Sequence, residues 1–93
     1  MDSTEGLSIG QVVISKAGRD AKKSFIIYEV LDDKHVLLVD GKLRKVEQAK
    51  KKKVKHLMKT NMISKFVQRK LSQGDKLTNA MIRKELEMLS SGE

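Results

Sequence analysis

The first half of the chain is a series of short apolar runs separated by turn residues. The densest run, residues 24–31, is rich in the β-branched and aromatic side chains that favour strands. Five strands are predicted: residues 9–14, 24–31, 35–39 and 43–46, and a fifth around Val54, Leu57 and Met58. Short strands joined by tight turns favour a small antiparallel barrel, because closure removes exposed sheet edges. The fold class is therefore predicted to be mainly β.

Turn and core positions follow from the same pattern. Gly18 is free to adopt positive φ and predicts a turn after the first strand, and Asp40-Gly41 is a strong two-residue hairpin signal. Alternation within the strands predicts buried positions at these four residues: Val12, Ile27, Val30 and Leu38. The three aromatic residues, Phe25, Tyr28 and Phe66, all lie in apolar patterns and are expected in the core.

After residue 60 the apolar spacing becomes helical, with a stripe formed by Met62, Ile63, Phe66, Val67 and Leu71. Asn61 is the expected N-cap of this helix and Gly74 its terminator. A second helix should begin at Thr78, where Leu77 and Ile82 have the spacing of a hydrophobic staple. The organisation predicted is a flexible leader at residues 1–8, a β module at 9–59 and a helical hairpin at 61–90. The helical stripes are expected to pack on their own domain, the alternative being a protein partner.

The positive charge of the chain is concentrated in one segment. Of 93 residues, 20 are Lys or Arg and 12 are Asp or Glu, a net charge of +8. Residues 41–60 hold nine basic groups and one acid, Glu47, so this segment carries +8 and the remainder sums to zero. Such asymmetry predicts a polyanionic partner. A solvated, solubilising lysine loop is the alternative, although adjacent lysines repel one another unless an anion neutralises them.

Few groups have the spacing that catalysis or metal binding requires. The chain has no Cys, and its two histidines, His35 and His56, are 21 positions apart. It carries no calcium-loop, phosphate-loop or nucleophile-elbow motif. Lysines around His56 should lower the pKa of its imidazole. We therefore predict a protein that is not an enzyme and takes no cofactor. An acidic, polar N-terminus and the lack of long apolar stretches predict a cytoplasmic protein with no membrane partner.

Three segments carry a resemblance to a known family. Residues 9–20 read IGQVVISKAGRD and resemble a KOW motif, a strand, a glycine-containing loop and a second strand. The later segments DGKLRK, at residues 40–45, and KKKKVKHL, at 50–57, strengthen the likeness. Over residues 9–58 the chain looks like short bacterial KOW-domain RNA-binding proteins. These are similar to the archaeal and eukaryotic large-subunit ribosomal protein family of the fourteen-e type.

The resemblance implies an SH3-like five-stranded barrel of the KOW type that binds RNA, often ribosomal RNA, with the loop around Gly18 near the nucleic acid. The chain departs from the family pattern at residues 21–24, where a second glycine is expected, and at Ala49, where related sequences often have Pro. An RNA-binding, ribosome-associated protein is thus the predicted function. A protein-interaction module of the ribosome or the transcription machinery is the alternative.

Candidate RNA-binding residues combine the lysine-rich segment with the KOW loop. They are Lys16, Gly18, Arg19, Lys22, Lys23, Lys42, Arg44, Lys45, Lys50, Lys51, Lys52, Lys53, Lys55 and His56. Lysine outnumbers arginine 16 to four, which favours contacts to phosphates over base readout. Arg19 and Arg44 are the candidates for a specific contact, and pairing with Asp20 or Glu47 is the alternative for each.

Overall fold

A computed structural model describes residues 3–91 of the chain. One antiparallel sheet has the strand order β4-β3-β2-β1-β5 and is followed by two helices. The strands are β1 (Gln11–Ser15), β2 (Ser24–Val30), β3 (His35–Val39), β4 (Lys50–Lys53) and β5 (Leu57–Ile63). The helices are α1 (Lys65–Ser72) and α2 (Asn79–Ser91), and 3₁₀ turns occupy Val46–Gln48 and Val54–His56. A mainly β fold with two C-terminal helices is therefore confirmed.

The fourth strand lies in the lysine run, so the strand predicted at residues 43–46 is wrong. The Asp40 carboxylate accepts hydrogen bonds from the backbone N–H groups of Lys42, at 2.9 Å, and Arg44, at 2.8 Å. The backbone N–H of Asp40 itself donates to the Arg44 carbonyl at 2.9 Å. These bonds close residues 40–44 into a tight loop, and a local side-chain acceptor has displaced the ladder bonds of a strand.

The fifth strand continues past the predicted start of the first helix. Met62 and Ile63 belong to β5, and the N-cap is Ser64, whose hydroxyl accepts from the Val67 N–H at 3.1 Å, in place of Asn61. Thr60 stabilises this extension: its hydroxyl donates to the Val12 carbonyl at 2.8 Å where the β1–β5 register shifts. A bulge therefore lengthens the strand at the expense of the predicted helix.

The remaining helix boundaries agree with the sequence prediction. Gly74 has φ 70° and its N–H donates to the Leu71 carbonyl at 3.2 Å, which ends α1. The Thr78 hydroxyl accepts from the Met81 N–H at 3.2 Å, as an N-cap does. Both boundaries depend on local chemistry and were predictable for that reason.

The sheet is open but strongly curled. β4 and β5 lie at its opposite edges, yet only the 3₁₀ turn Val54–His56 joins them along the chain. In a flat sheet these edges would be roughly 19 Å apart, at about 4.8 Å between strands. The connection from Lys53 to Leu57 spans at most about 14 Å even when fully extended. The two edges must therefore bend toward each other.

Each face of the sheet carries its own apolar cluster. The inner cluster, on the concave face, consists of Val13, Phe25, Ile27, Val36, Leu38, Val54 and Leu57. The outer cluster joins the opposite face to the helices and includes Val12, Ile26, Val39, Val67, Leu77 and Ile82. Alternate residues of each strand serve opposite clusters, as the pleat requires.

The two helices cover the outer cluster, so their apolar stripes pack on their own domain. Arg83 of α2 donates to the Gly41 carbonyl at 2.7 Å, and the Ser64 hydroxyl donates to Glu85 at 2.6 Å. Asn79 accepts from the Val46 N–H at 2.9 Å. Gly41 is required here, because a Cβ at that position would lie 2.4 Å from the Asn79 carbonyl oxygen. The Arg83 and Asn79 contacts join α2 to the loop that precedes β4, and the Ser64 contact joins α2 to the N-cap of α1.

The predicted flexible leader is docked over the part that the structure describes. Thr4 donates its backbone N–H to the Asp33 carbonyl at 2.8 Å and its hydroxyl to the Asp32 carbonyl at 2.9 Å. Leu7 packs against the inner cluster. Residues 3–8 are thus part of the fold, whereas residues 1 and 2 lie outside the described residues.

Three of the four predicted core positions are buried, and the fourth is wrong. Val12, Ile27 and Leu38 are at most 1% exposed, but Val30 is 36% exposed. The β2–β3 register shifts between Ile27 and Glu29, and Val30 is the last paired residue of β2, where the curl leaves it open to solvent. Of the aromatic residues, Phe25 is buried, and Tyr28 and Phe66 are partly buried against the outer cluster, as expected.

Replacing Ile27 by Ala should destabilise the protein by about 2–5 kcal/mol, because it leaves a cavity in the inner cluster. Leu43→Ala is the matched control, since Leu43 is 59% exposed, and should change the unfolding free energy by less than about 0.5 kcal/mol. Urea unfolding of both variants measures the difference. Equal stability of the two variants would contradict the inner cluster.

Candidate nucleic-acid interface

The lysine run forms an edge strand of the sheet. Lys50, Lys51, Lys52 and Lys53 pair in register with Leu38, Leu37, Val36 and His35 of β3. Successive side chains point to opposite faces, which separates like charges on one face by about 6.7 Å. Lys50, Lys51 and Lys53 are exposed, and Lys52 is half-buried. Pairing with the apolar β3 thus holds four cations in a fixed, two-sided row.

A structural role for this row exists beside any binding role. Lysines on an edge strand prevent its free backbone groups from pairing with another chain. β4 has one such free edge, since it ends the sheet. Edge protection and anion binding predict different responses to salt, which separates them experimentally.

The loop between β1 and β2, residues 16–23, lies beside this row. Lys52 Nζ is 3.5 Å from the Ala17 carbonyl oxygen, and a Cβ placed on Gly18 would be 3.7 Å from the same Nζ. The Lys16 N–H donates to the His56 carbonyl at 2.8 Å. Two segments more than 30 positions apart in the chain therefore meet at one surface.

We call this surface the basic patch. It consists of Lys16, Gly18, Arg19, Lys22 and Lys23 from the loop, and Lys50, Lys51, Lys52, Lys53, Lys55 and His56 from β4 and the turn after it. Within residues 3–91, none of its lysines forms a salt bridge with a carboxylate. Its positive charge is available to an external anion.

His56 reports the positive potential of the basic patch. Desolvation lowers the pKa of its imidazole most, and the charges of Lys55, Lys52, Lys53 and Lys16 lower it further. The lowered pKa confirms the direction predicted from the surrounding lysines, with partial burial as the additional, larger cause. His56 is therefore neutral near pH 7.

Lys22 has an unusual backbone conformation within the patch. Among residues 3–91 it is the one non-glycine residue with positive φ, at 69°. Its N–H donates to the Ser15 carbonyl at 2.7 Å, which closes the loop at the base of the β1–β2 hairpin. The sequence had indicated a departure from the family pattern here, where a second glycine was expected. Lysine occupies a left-handed position that glycine would adopt without strain.

The two candidate arginines have different environments. Arg44 donates from Nε, at 3.2 Å, and Nη2, at 2.8 Å, to one carboxylate oxygen of Asp20, which is buried. This is the alternative that the sequence left open, and it makes Arg44 the link between residues 16–23 and the loop at 40–44. Arg19 is exposed. Of the two, Arg19 remains the candidate for a specific contact.

The other predicted residues of the basic segment lie apart from the patch. Lys42 lines a groove beside α2, together with Asp40 and Arg83. Lys45 is exposed and immediately precedes the 3₁₀ turn Val46–Gln48. The tight loop at 40–44 places Lys42 on the helical side, which a sequence pattern cannot indicate.

The structure also adds residues that the sequence analysis did not select. Lys34 and His35 line a cleft with Lys53, Val54 and Lys55, at the end of β4. Their proximity to the lysine run comes from β3–β4 pairing, which places His35 opposite Lys53. If the sequence had predicted a strand at residues 50–53, the closeness of Lys34 and His35 to the lysine run could also have been predicted.

In residues 3–91, no three His, Cys, Asp or Glu side chains converge as a metal site would require. None of the helices in this range is long and apolar enough to cross a bilayer. No protein-family model matches the chain, and no curated protein matches it.

The strain at Lys22 predicts an unusual response to glycine substitution. Lys22→Gly removes a left-handed conformation that costs an L-residue roughly 1–2 kcal/mol. The greater unfolded-state entropy of glycine offsets about 0.5–1 kcal/mol of this gain. We expect stability equal to wild type or up to about 1.5 kcal/mol higher. Lys23→Gly, the neighbouring control without positive φ, should lose about 0.5–1 kcal/mol. Chemical denaturation measures both, and equal losses would contradict the strain.

Proposed function

We propose that this protein binds structured RNA through the basic patch, by contacts to phosphates. One observation carries the proposal: two distant segments converge on a surface whose lysines have no carboxylate partner in the described part of the chain. A polyanion that neutralises these cations releases counterions, and this release supplies most of the sequence-independent affinity for nucleic acid.

We further propose that the β module, predicted at residues 9–59 and extended by β5 to Ile63, is an SH3-like barrel of the KOW type. The curl of the sheet, the pairing of β1 with β5 and the short 3₁₀ connection between β4 and β5 all support it. The glycine of the KOW-like motif, Gly18, has φ 79° and adjoins Lys52. The resemblance then makes ribosomal RNA the expected partner.

The chemistry of the patch favours recognition of shape over sequence. Its cations are mostly lysines, which act as point charges, and Arg44 is engaged with Asp20. Phe25 is buried and Phe66 is covered by the outer cluster, with Lys70 Nζ 5.6 Å from the centre of its ring. Base stacking by these aromatic side chains is therefore disfavoured, and structured RNA read through phosphates is the better match.

The alternative, a protein-interaction module acting through the helices, has less support. The apolar sides of α1 and α2 contribute Val67, Ile82 and Leu86 to the outer cluster. Met88, at 55% exposed, is a large apolar side chain of α2 that stays open to solvent. A partner helix would find little uncovered apolar surface there.

The salt dependence of RNA affinity tests the proposal. With ~4–6 phosphates contacted, log K should fall against log salt with a slope of about −3 to −5. Lys51→Ala with Lys53→Ala should flatten that slope by about 1–2 and weaken all RNAs alike. The matched control is Lys76→Ala with Lys84→Ala, which removes the same charge from exposed helical-side positions and should leave the slope within about 0.5. The measurement is affinity for a structured ribosomal RNA fragment, a duplex and a single strand over a salt series.

Equal flattening by both double variants would mean that net charge alone drives binding. If the variant at Lys51 and Lys53 had an unchanged slope, the lysines of β4 would serve only to protect the edge of the sheet. Either result would contradict the proposed site.

A further inference from the structure

A cleft at the end of β4 adjoins the basic patch. It has a volume of about 450 Å³ and lies between the turn after β2 and the 3₁₀ turn Val54–His56. Its lining consists of Lys34, His35, Lys53, Val54 and Lys55. Buried Val54 belongs to the inner cluster, and its N–H donates to the Lys34 carbonyl at 2.9 Å, which joins the two walls.

The electrostatics of the cleft favour an anion. Lys53, Lys55 and His35 are among its lining residues, and no carboxylate of the described residues is. The Asp32 carboxylate, in the turn that precedes Lys34, accepts from the backbone N–H groups of Lys34 and His35, both at 2.8 Å. These bonds and the His35 side chain hold the pKa of the Asp32 carboxyl below its usual value, so it stays charged.

His35 differs from the flexible lysines because its ring is held in place. Nδ1 lies 3.0 Å from one Asp32 carboxylate oxygen and 3.2 Å from the other. The side chain is 24% exposed, and the residue pairs with Lys53 across β3 and β4. With Nδ1 engaged, Nε2 is the remaining polar atom of the ring. A protonated His35 donates from Nε2 while its charge is balanced by Asp32.

We infer that this cleft binds the phosphate of a nucleotide, with His35 as the oriented donor and Lys53 and Lys55 as the neutralising cations. A cleft of this size accommodates one nucleotide, because small-molecule sites begin at about 300 Å³. The cationic rim suits the phosphate. The site would extend the proposed RNA surface around the end of β4, yet a free nucleotide tests it without any longer RNA.

The experiment is a titration of the full chain with the dinucleotide ApA, observed at the histidine ring nitrogens by NMR. ApA carries an internal phosphodiester of the kind that links nucleotides in RNA. We expect ApA to shift the His35 ring signals and adenosine, which lacks phosphate, to leave them unchanged.

Two glutamine substitutions are the matched pair. At about pH 6, His35→Gln should weaken ApA binding roughly tenfold, the effect of losing a hydrogen bond between charged groups. Lys84→Gln changes an exposed residue of α2, outside both the cleft lining and the basic patch, and should alter the affinity less than about twofold. The amide spectrum of each variant checks that it is folded. AMP has a terminal phosphate and ApA an internal one. Tighter binding of AMP would indicate that the cleft recognises the phosphate at the end of a chain, and tighter binding of ApA would indicate an internal phosphodiester.

Wild-type ApA affinity in His35→Gln, or equal shifts with adenosine, would overturn the inference. The salt slope of RNA binding is measured separately on the Lys51 and Lys53 variant. If the cleft does not bind ApA but the substitutions flatten the salt slope as predicted, the proposed function still holds and only the cleft site is refuted. If the cleft binds ApA but RNA affinity does not depend on salt concentration, the cleft site holds and the proposed RNA-binding surface is refuted.

Discussion

The chain has three residues, Val54–His56, with which to pass from one edge of a five-stranded sheet to the other. This constraint bends the sheet and directs Val54 and Leu57 into the inner cluster. It also brings the end of the lysine strand beside the loop that follows β1, where Lys16 bonds to His56. The core and the proposed binding surface therefore depend on the same short connection.

The two faces of the curled sheet pack against different partners. The inner cluster closes on itself with Leu7 at its margin, while the outer cluster is covered by α1 and α2. Covering the outer face uses the apolar sides of the helices and leaves the basic edge uncovered. The ion pair between Arg44 and the buried carboxylate of Asp20 holds the β1–β2 loop, residues 16–23, next to that edge. A rigid base with exposed lysines suits binding to phosphates at defined positions.

Local signals in the sequence predicted much of this fold. The run at residues 24–31 became β2, and the Thr78 cap and the Leu77–Ile82 spacing marked α2 correctly, because each depends on neighbouring residues. The strand at Lys50–Lys53 was not predictable in this way: four lysines carry no apolar alternation, and pairing with β3 forms the strand. The candidate residues were chosen by charge, and charge could not show that Arg44 binds Asp20 or that His35 lies opposite Lys53. The first depends on how two loops pack together, and the second follows from the pairing of β3 with β4.

A map of amide chemical shifts on titration with a structured ribosomal RNA fragment tests the central claim most directly. At about 150 mM salt, where weak non-specific contacts are screened, the account predicts the largest changes at residues 16–23 and 50–56. The amide shifts of α2, residues 79–91, should change little, because that helix covers the outer cluster and lies apart from the basic patch. Changes concentrated on α2, with residues 50–56 unaffected, would contradict the account.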